Sequence, residues 1–167
     1  MTASDMPHRL DHFVAAQDAD GTYERALAEL RRGRKASHWM WFVFPQLAGL
    51  GRSATSRKYA IADLEQARAY LSDPVLGARL REAATVVADS PEPDAQAMFG
   101  GIDALKLQSS MTLFETVDAQ AGVFARVLER YYGGRRCELT WRLLDASRPD
   151  DDPAAGDGSD PDGKADA

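Results

Sequence analysis

The run Trp39-Met40-Trp41-Phe42-Val43-Phe44-Pro45-Gln46 constrains the fold more than any other part of the chain. It places two tryptophans and two phenylalanines within six positions. A helix repeats every 3.6 residues, so no single stripe of one helix can bury all four rings. The segment must be covered on several sides and run through the middle of a domain. Each indole also brings an N–H that needs a partner once it is out of water. A chain of 167 residues with a 44% hydrophobic fraction is long enough to supply that cover as one domain.

The rest of the body reads as helices joined by short connections. Leu10, Phe13 and Val14 recur at helical spacing. Thr22 is placed to cap a helix carrying Tyr23, Ala26, Leu27 and Leu30 and stopping near Gly33. Ile61, Leu64, Ala67, Tyr70 and Leu71 form another stripe. Asp73-Pro74 predicts a cap and first-turn proline ahead of Val75, Leu76, Leu80, Ala83, Ala84 and Val87. Ser90 to Asp94 reads as a loop. Asp103 is placed to cap a helix with Leu107, Met111 and Phe114 on one side, and Val123, Phe124, Val127, Leu128 and Tyr131 mark the next, stopped by Gly133-Gly134. Leu139 to Leu144 predicts a last helix. Strand alternation is nearly absent. The expectation is an all-α fold: a single compact multi-helix domain over 8–146, followed by a disordered acidic C-terminal tail over 147–167.

Charge sharpens that division. The formal net charge is −6. Arg148 to Ala167 carries seven Asp against Arg148 and Lys164, while Met1 to Ser147 holds 18 basic and 19 acidic residues and is close to neutral. The tail has no aromatic, no leucine and no β-branched residue, so nothing in it offsets the entropy of ordering. It reads as a solvating terminus. Its functional alternative is an acidic arm against a basic partner or the protein's own basic patch. Such a patch exists: from Leu30 to Ala62 there is no Asp or Glu, but there are seven cations, Arg31, Arg32, Arg34, Lys35, Arg52, Arg57 and Lys58.

These features define candidate site residues. Arg34, Lys35, Arg52 and Lys106 are placed to hold anionic groups, since guanidinium and ammonium donors suit phosphate. Trp39 or Trp41 offers a stacking face. Gln46 follows the aromatic run, and Ser53 follows the Gly49-Leu50-Gly51 turn, whose backbone N–H groups can approach an anion. Ser109 and Ser110 share a polar strip with Lys106, where a lysine can hold an anion or activate a hydroxyl. His38 and Glu65 are the proton-transfer candidates, His38 because imidazole titrates near neutral pH. Each has a purely structural counterpart: aromatic core, solvated basic face, and an Asp103–Lys106 pair beside solvent-facing serines. Cys137 reads as structural, and its being the single cysteine excludes a disulfide framework or multi-cysteine zinc site. His8 and His12 share a helical spacing without a third ligand, so no metal site is expected, and no cofactor either. No apolar run approaches a membrane span and MTASDMPHRLDHF is not a secretory signal, so a cytoplasmic protein without a membrane partner is expected.

Three segments together, GRKASHWMWFVFPQLAGLGRS, YAIADLEQARAYLSDPVLGARL and DALKLQSSMTLFE, closely resemble the bacterial domain-of-unknown-function family 1810, some of whose members carry the label calpastatin. The resemblance runs in order from about Leu10 to Tyr132. It implies an all-α fold and brings no activity with it. The calpastatin label has no counterpart here, because the chain contains no inhibitory repeat. A fainter likeness, at the level of analogy, is to helical proteins that process ADP-ribose-type N-glycosides.

The reading that follows is a pocket for a small phosphate-containing or nucleotide-like ligand, with hydrolysis of an N-glycosidic or phosphoester bond as its catalytic form. The alternative is a non-catalytic interaction protein that meets a protein or nucleic acid through the basic segment. Sequence-specific DNA reading is disfavoured, because the body is not basic overall and no reading helix stands out.

Overall fold

The computed structural model of the protein describes residues 9–118 and 122–146. The expected disordered tail over 147–167, and His8, fall outside the described residues. Among the described residues ten α-helices follow in order: α1 Asp11–Asp18, α2 Thr22–Arg32, α3 Met40–Val43, α4 Ala54–Lys58, α5 Leu64–Ser72, α6 Leu76–Ala88, α7 Ala95–Phe99, α8 Gly101–Val117, α9 Gly122–Tyr132 and α10 Glu138–Ala146. A 3-10 turn, Ala19–Gly21, joins α1 to α2. Among the described residues the architecture is all-α, with one isolated parallel bridge between Leu47 and Ile61. No helix among them is long and apolar enough to cross a membrane.

Helix α8 is the centre. Ala104, Leu107 and every residue from Ser109 to Phe114 are buried, so it is apolar around most of its circumference, as an internal helix must be. It packs against α5, α7, α9 and α10, while α6 packs on α2, α5 and α9. Phe13, Tyr70, Phe114 and Phe124 form a chain of ring contacts through the middle, with centroids 5.2–6.1 Å apart. Gly77 is required where α6 begins: a Cβ there would stand 2.1 Å from the carbonyl oxygen of Leu71 at the end of α5. The close approach of these two helices depends on the missing side chain.

Several boundaries differ from the sequence expectation, each for a local reason. Thr22 does not cap α2. Gly21, at φ +66°, holds the cap position, and the Thr22 hydroxyl donates to Ala19 O instead. Asp73 does accept the N–H groups of Val75 and Leu76 at 2.9 and 3.0 Å, as predicted, although the helix proper starts at Leu76. Ile61 lies outside α5, buried in the bridge to Leu47, and the cap is Asp63, which accepts from Gln66 N at 2.8 Å. Asp103 is not a cap: α8 begins two residues earlier, and its carboxylate turns outward to two lysines.

The aromatic run is divided, as its density demanded. Trp39, Met40, Val43 and Phe44 are buried, whereas Trp41 and Phe42 are half-buried. The single turn of α3 achieves this by pointing successive side chains around its circumference, and Pro45 prevents the helix from continuing.

Candidate functional site

The segment entering the aromatic run is held by a buried glutamate. Glu29, on α2, is 3% exposed. Its Oε1 accepts from Ala36 N at 2.7 Å, Ser37 N at 3.0 Å and Trp39 Nε1 at 2.9 Å, and its Oε2 accepts from the Ser37 hydroxyl. Burial pushes its pKa up, but these bonds to the charged form outweigh burial and hold it at about 2. The carboxylate therefore satisfies two loop amides and the indole N–H of the core tryptophan at once. The role of Glu29 was not legible in the sequence, since its donors lie in a loop whose path the sequence does not show.

Beyond this clamp, Lys35 donates to Ser37 O at 2.6 Å, pairs with Asp103 at 2.9 Å and lies over the Trp39 ring at 5.0 Å. Asp103 also reaches Lys106 at 3.4 Å, and Lys106 lies over the Trp41 ring, 4.3 Å from its centroid. One carboxylate thus ties the loop after α2 to the first turns of α8 and orients two ammonium groups, each against a different indole.

Trp41 and Lys106 also mark two adjoining clefts. The first is lined by Trp41, Gln46, Gly51, Ser56, Arg57 and Tyr59, among others, and the second by Gln46, Gly51, Ser56, Lys106, Ser109 and Cys137, with apolar neighbours. Gln46, Gly51 and Ser56 belong to both, so the clefts adjoin along these residues as a two-part depression between the 46–60 segment, α8 and the start of α10. Gly51 is fixed by closeness: a Cβ there would meet the Ser56 hydroxyl at 2.4 Å. Ser53 caps the short α4 by accepting from Ser56 N at 3.0 Å, which sets the path of this wall.

The predicted residues separate in this structure. Trp41, Gln46, Lys106 and Ser109 line the depression, together with Arg57, which was recognised only as part of the basic stretch. Arg52 is exposed between the lining residue Gly51 and the cap Ser53. Trp39 is wholly buried core and Lys35 is already paired with Asp103. Arg34 and His38 are exposed on the loop after α2, and Glu65 is exposed in the first turn of α5; none of the three lines the depression. Ser109 is buried and its hydroxyl donates to Leu105 O at 3.1 Å, with Cys137 Sγ at 3.3 Å. Ser110 is fully buried, and its hydroxyl has no hydrogen-bond partner among the described residues. No group of three or more His, Cys, Asp or Glu among the described residues is arranged to hold a metal ion.

A family model described as "Protein of unknown function (DUF1810)" matches residues 7–144. The crystal structure of the conserved hypothetical protein Rv1873 from Mycobacterium tuberculosis superimposes with a TM-score of 0.80 at 45% sequence identity, covering 83% of this chain and 98% of that one. A search of the curated proteins finds no match.

Proposed function

We propose, for a chain that belongs to the family described as protein of unknown function (DUF1810), that it binds a small phosphate-containing or nucleotide-like ligand in the depression between the 46–60 segment and α8. One observation carries this reading: among the described residues, those lining the depression include Arg57 and Lys106 and no carboxylate, Asp103 lying behind Lys106 at 3.4 Å. A shaped concavity lined by charge of one sign concentrates ions of the other. Arg57 offers forked donors, Lys106 an ammonium oriented by Asp103, Ser56 a hydroxyl and Gln46 an amide that both donates and accepts. Trp41 adds a flat apolar wall on which a base or ring can stack.

The reading is of binding. Hydrolysis of an N-glycosidic or phosphoester bond needs a proton-transfer group within reach of the scissile bond. His38 and Glu65, the groups expected to serve, are not among the lining residues. A thermal-shift panel of nucleotides, ADP-ribose and sugar phosphates tests the proposal, because occupancy raises the unfolding midpoint. A hit lost in Arg57→Ala and Lys106→Ala and kept in Glu65→Gln supports it. No hit across the panel, or a hit indifferent to both cations, counts against it.

A second reading, the non-catalytic interaction protein, has its own support. Ile102, Leu105 and Leu139, which line the second cleft, are 73%, 65% and 49% exposed. Exposed apolar clusters of this kind mark surfaces that meet a partner.

A further inference from the structure

We infer that the acidic segment Arg148–Ala167 is an intramolecular occupant of this depression, its aspartates competing with the small anion for Arg52, Arg57 and Lys106. The inference rests on the reading of the depression as an anion site.

Charge is the first support. The segment holds seven Asp, whereas the described lining of the depression carries Arg57 and Lys106, with Arg52 exposed beside Gly51 and Asp103 reaching Lys106 at 3.4 Å. Arg52 and Arg57 form no ion pair among the described residues, so their charge is open to a partner. Position is the second. Helix α10 starts at the depression, where Cys137 and Leu139 form part of the lining. Its Leu143 then lies against the other wall: a Cβ on Gly49 would be 3.4 Å from Leu143 Cδ1, and Gly49 lines the first cleft. The first aspartate, Asp150, comes only seven residues after Leu143. Leu143 to Ala146 is helical and rises about 1.5 Å per residue, and the chain from there to Asp150 advances at most about 3.3 Å per residue, so Asp150 is within about 18 Å of that wall and the later aspartates have further reach.

Composition sets the character of the contact. Without aromatic, leucine or β-branched residues, the segment has nothing to bury against Ile102, Leu105 or Leu139. Charge alone holds it, so the contact is reversible and screened by salt. Tethering supplies an effective concentration in the millimolar range, which lets a weak contact compete with a dissolved anion. A separate acidic protein would use the same cations without that advantage.

The test uses the full chain beside a full-length variant in which Asp150, Asp151, Asp152, Asp157, Asp160, Asp162 and Asp166 are each changed to Asn. Amide spectra of the two at low ionic strength are expected to differ at Gly49, Gly51 and Ser56, and to coincide at about 0.5 M salt, where the Debye length falls to a few ångströms. Arg57→Glu in the full chain is expected to shift those amides toward the Asn variant. With AMP as the probe, the Asn variant is expected to bind about fivefold more tightly. Coincident amides at low salt overturn the inference, as does AMP affinity equal in the two chains. Equal AMP binding leaves the anion site standing while the tail contact falls. Amides that differ as expected, with AMP bound by neither chain, support the tail contact and defeat the small-anion reading.

Discussion

The indole N–H of Trp39 donates to Oε1 of Glu29 across 2.9 Å, joining the aromatic core to helix α2 through a carboxylate shielded from solvent. The same oxygen accepts from the backbone amides of Ala36 and Ser37. Removing the carboxylate therefore orphans these three donors and the Ser37 hydroxyl on Oε2 at once. Glu29→Ala is expected to cost about 3 kcal/mol or more, since each buried unpaired donor costs about 1–3 kcal/mol. Urea unfolding measures it. Glu29→Gln, which keeps the shape and one acceptor, is expected to cost less. A loss for Glu29→Ala no greater than that of a surface substitution would contradict the clamp.

The same carboxylate sets an acid limit on stability. Its pKa is held at about 2 against an ordinary 4.5, so the folded state favours the charged form. The contribution is complete above the ordinary value and drains away as pH falls from about 4.5 toward 2. Unfolding free energy measured across that window is expected to fall for the native chain and to fall less steeply for Glu29→Gln. His12 adds a smaller effect nearer neutrality. Burial against Phe13 and Tyr59 lowers its pKa below 6.5, so protonation opposes folding and stability declines as pH drops below that value.

Gly77→Ala is expected to lower stability by about 3 kcal/mol, at the upper end of overpacking costs, because its Cβ would meet the backbone of α5 rather than a movable side chain. Gly101→Ala, at the first position of α8 with no atom within 4 Å of its Cβ, is expected to be neutral or slightly stabilising. Denaturant midpoints of the two variants, side by side, check the contrast.

Ser110 makes an opposite prediction. Its hydroxyl is buried without a partner among the described residues, so Ser110→Ala is expected to leave stability unchanged or raise it by up to about 1 kcal/mol. A clear loss in thermal unfolding would mean that the hydroxyl holds a group in the interior.

The long amphipathic helices were legible because their periodicity is local. The Tyr23, Ala26, Leu27, Leu30 stripe is buried in α2, and the Val127, Leu128 face is buried in α9, as predicted. The short helices α3, α4 and α7 carry too few residues to establish a period, and α4 buries none of its side chains. The site was harder. Trp39 and Trp41 are chemically alike and two positions apart, and only the turn of α3 sends one inward and leaves the other half-exposed. Asp103 looked like a cap because its partner Lys35 is 68 residues away in sequence. Lys106 and Trp41 were both candidates, but their contact, and Arg57 beside the same depression, depend on tertiary packing that no local pattern encodes.

The most direct test of the anion site is a titration of the isotopically labelled protein with AMP and inorganic pyrophosphate, followed residue by residue. The expected result is saturable shifts of the Trp41 indole and the Gly49, Gly51 and Ser56 amides, weakened about tenfold in Lys106→Ala, the loss of one charge-assisted contact at about 1.4 kcal/mol. Shifts absent at millimolar ligand, or clustered away from the depression, would contradict it.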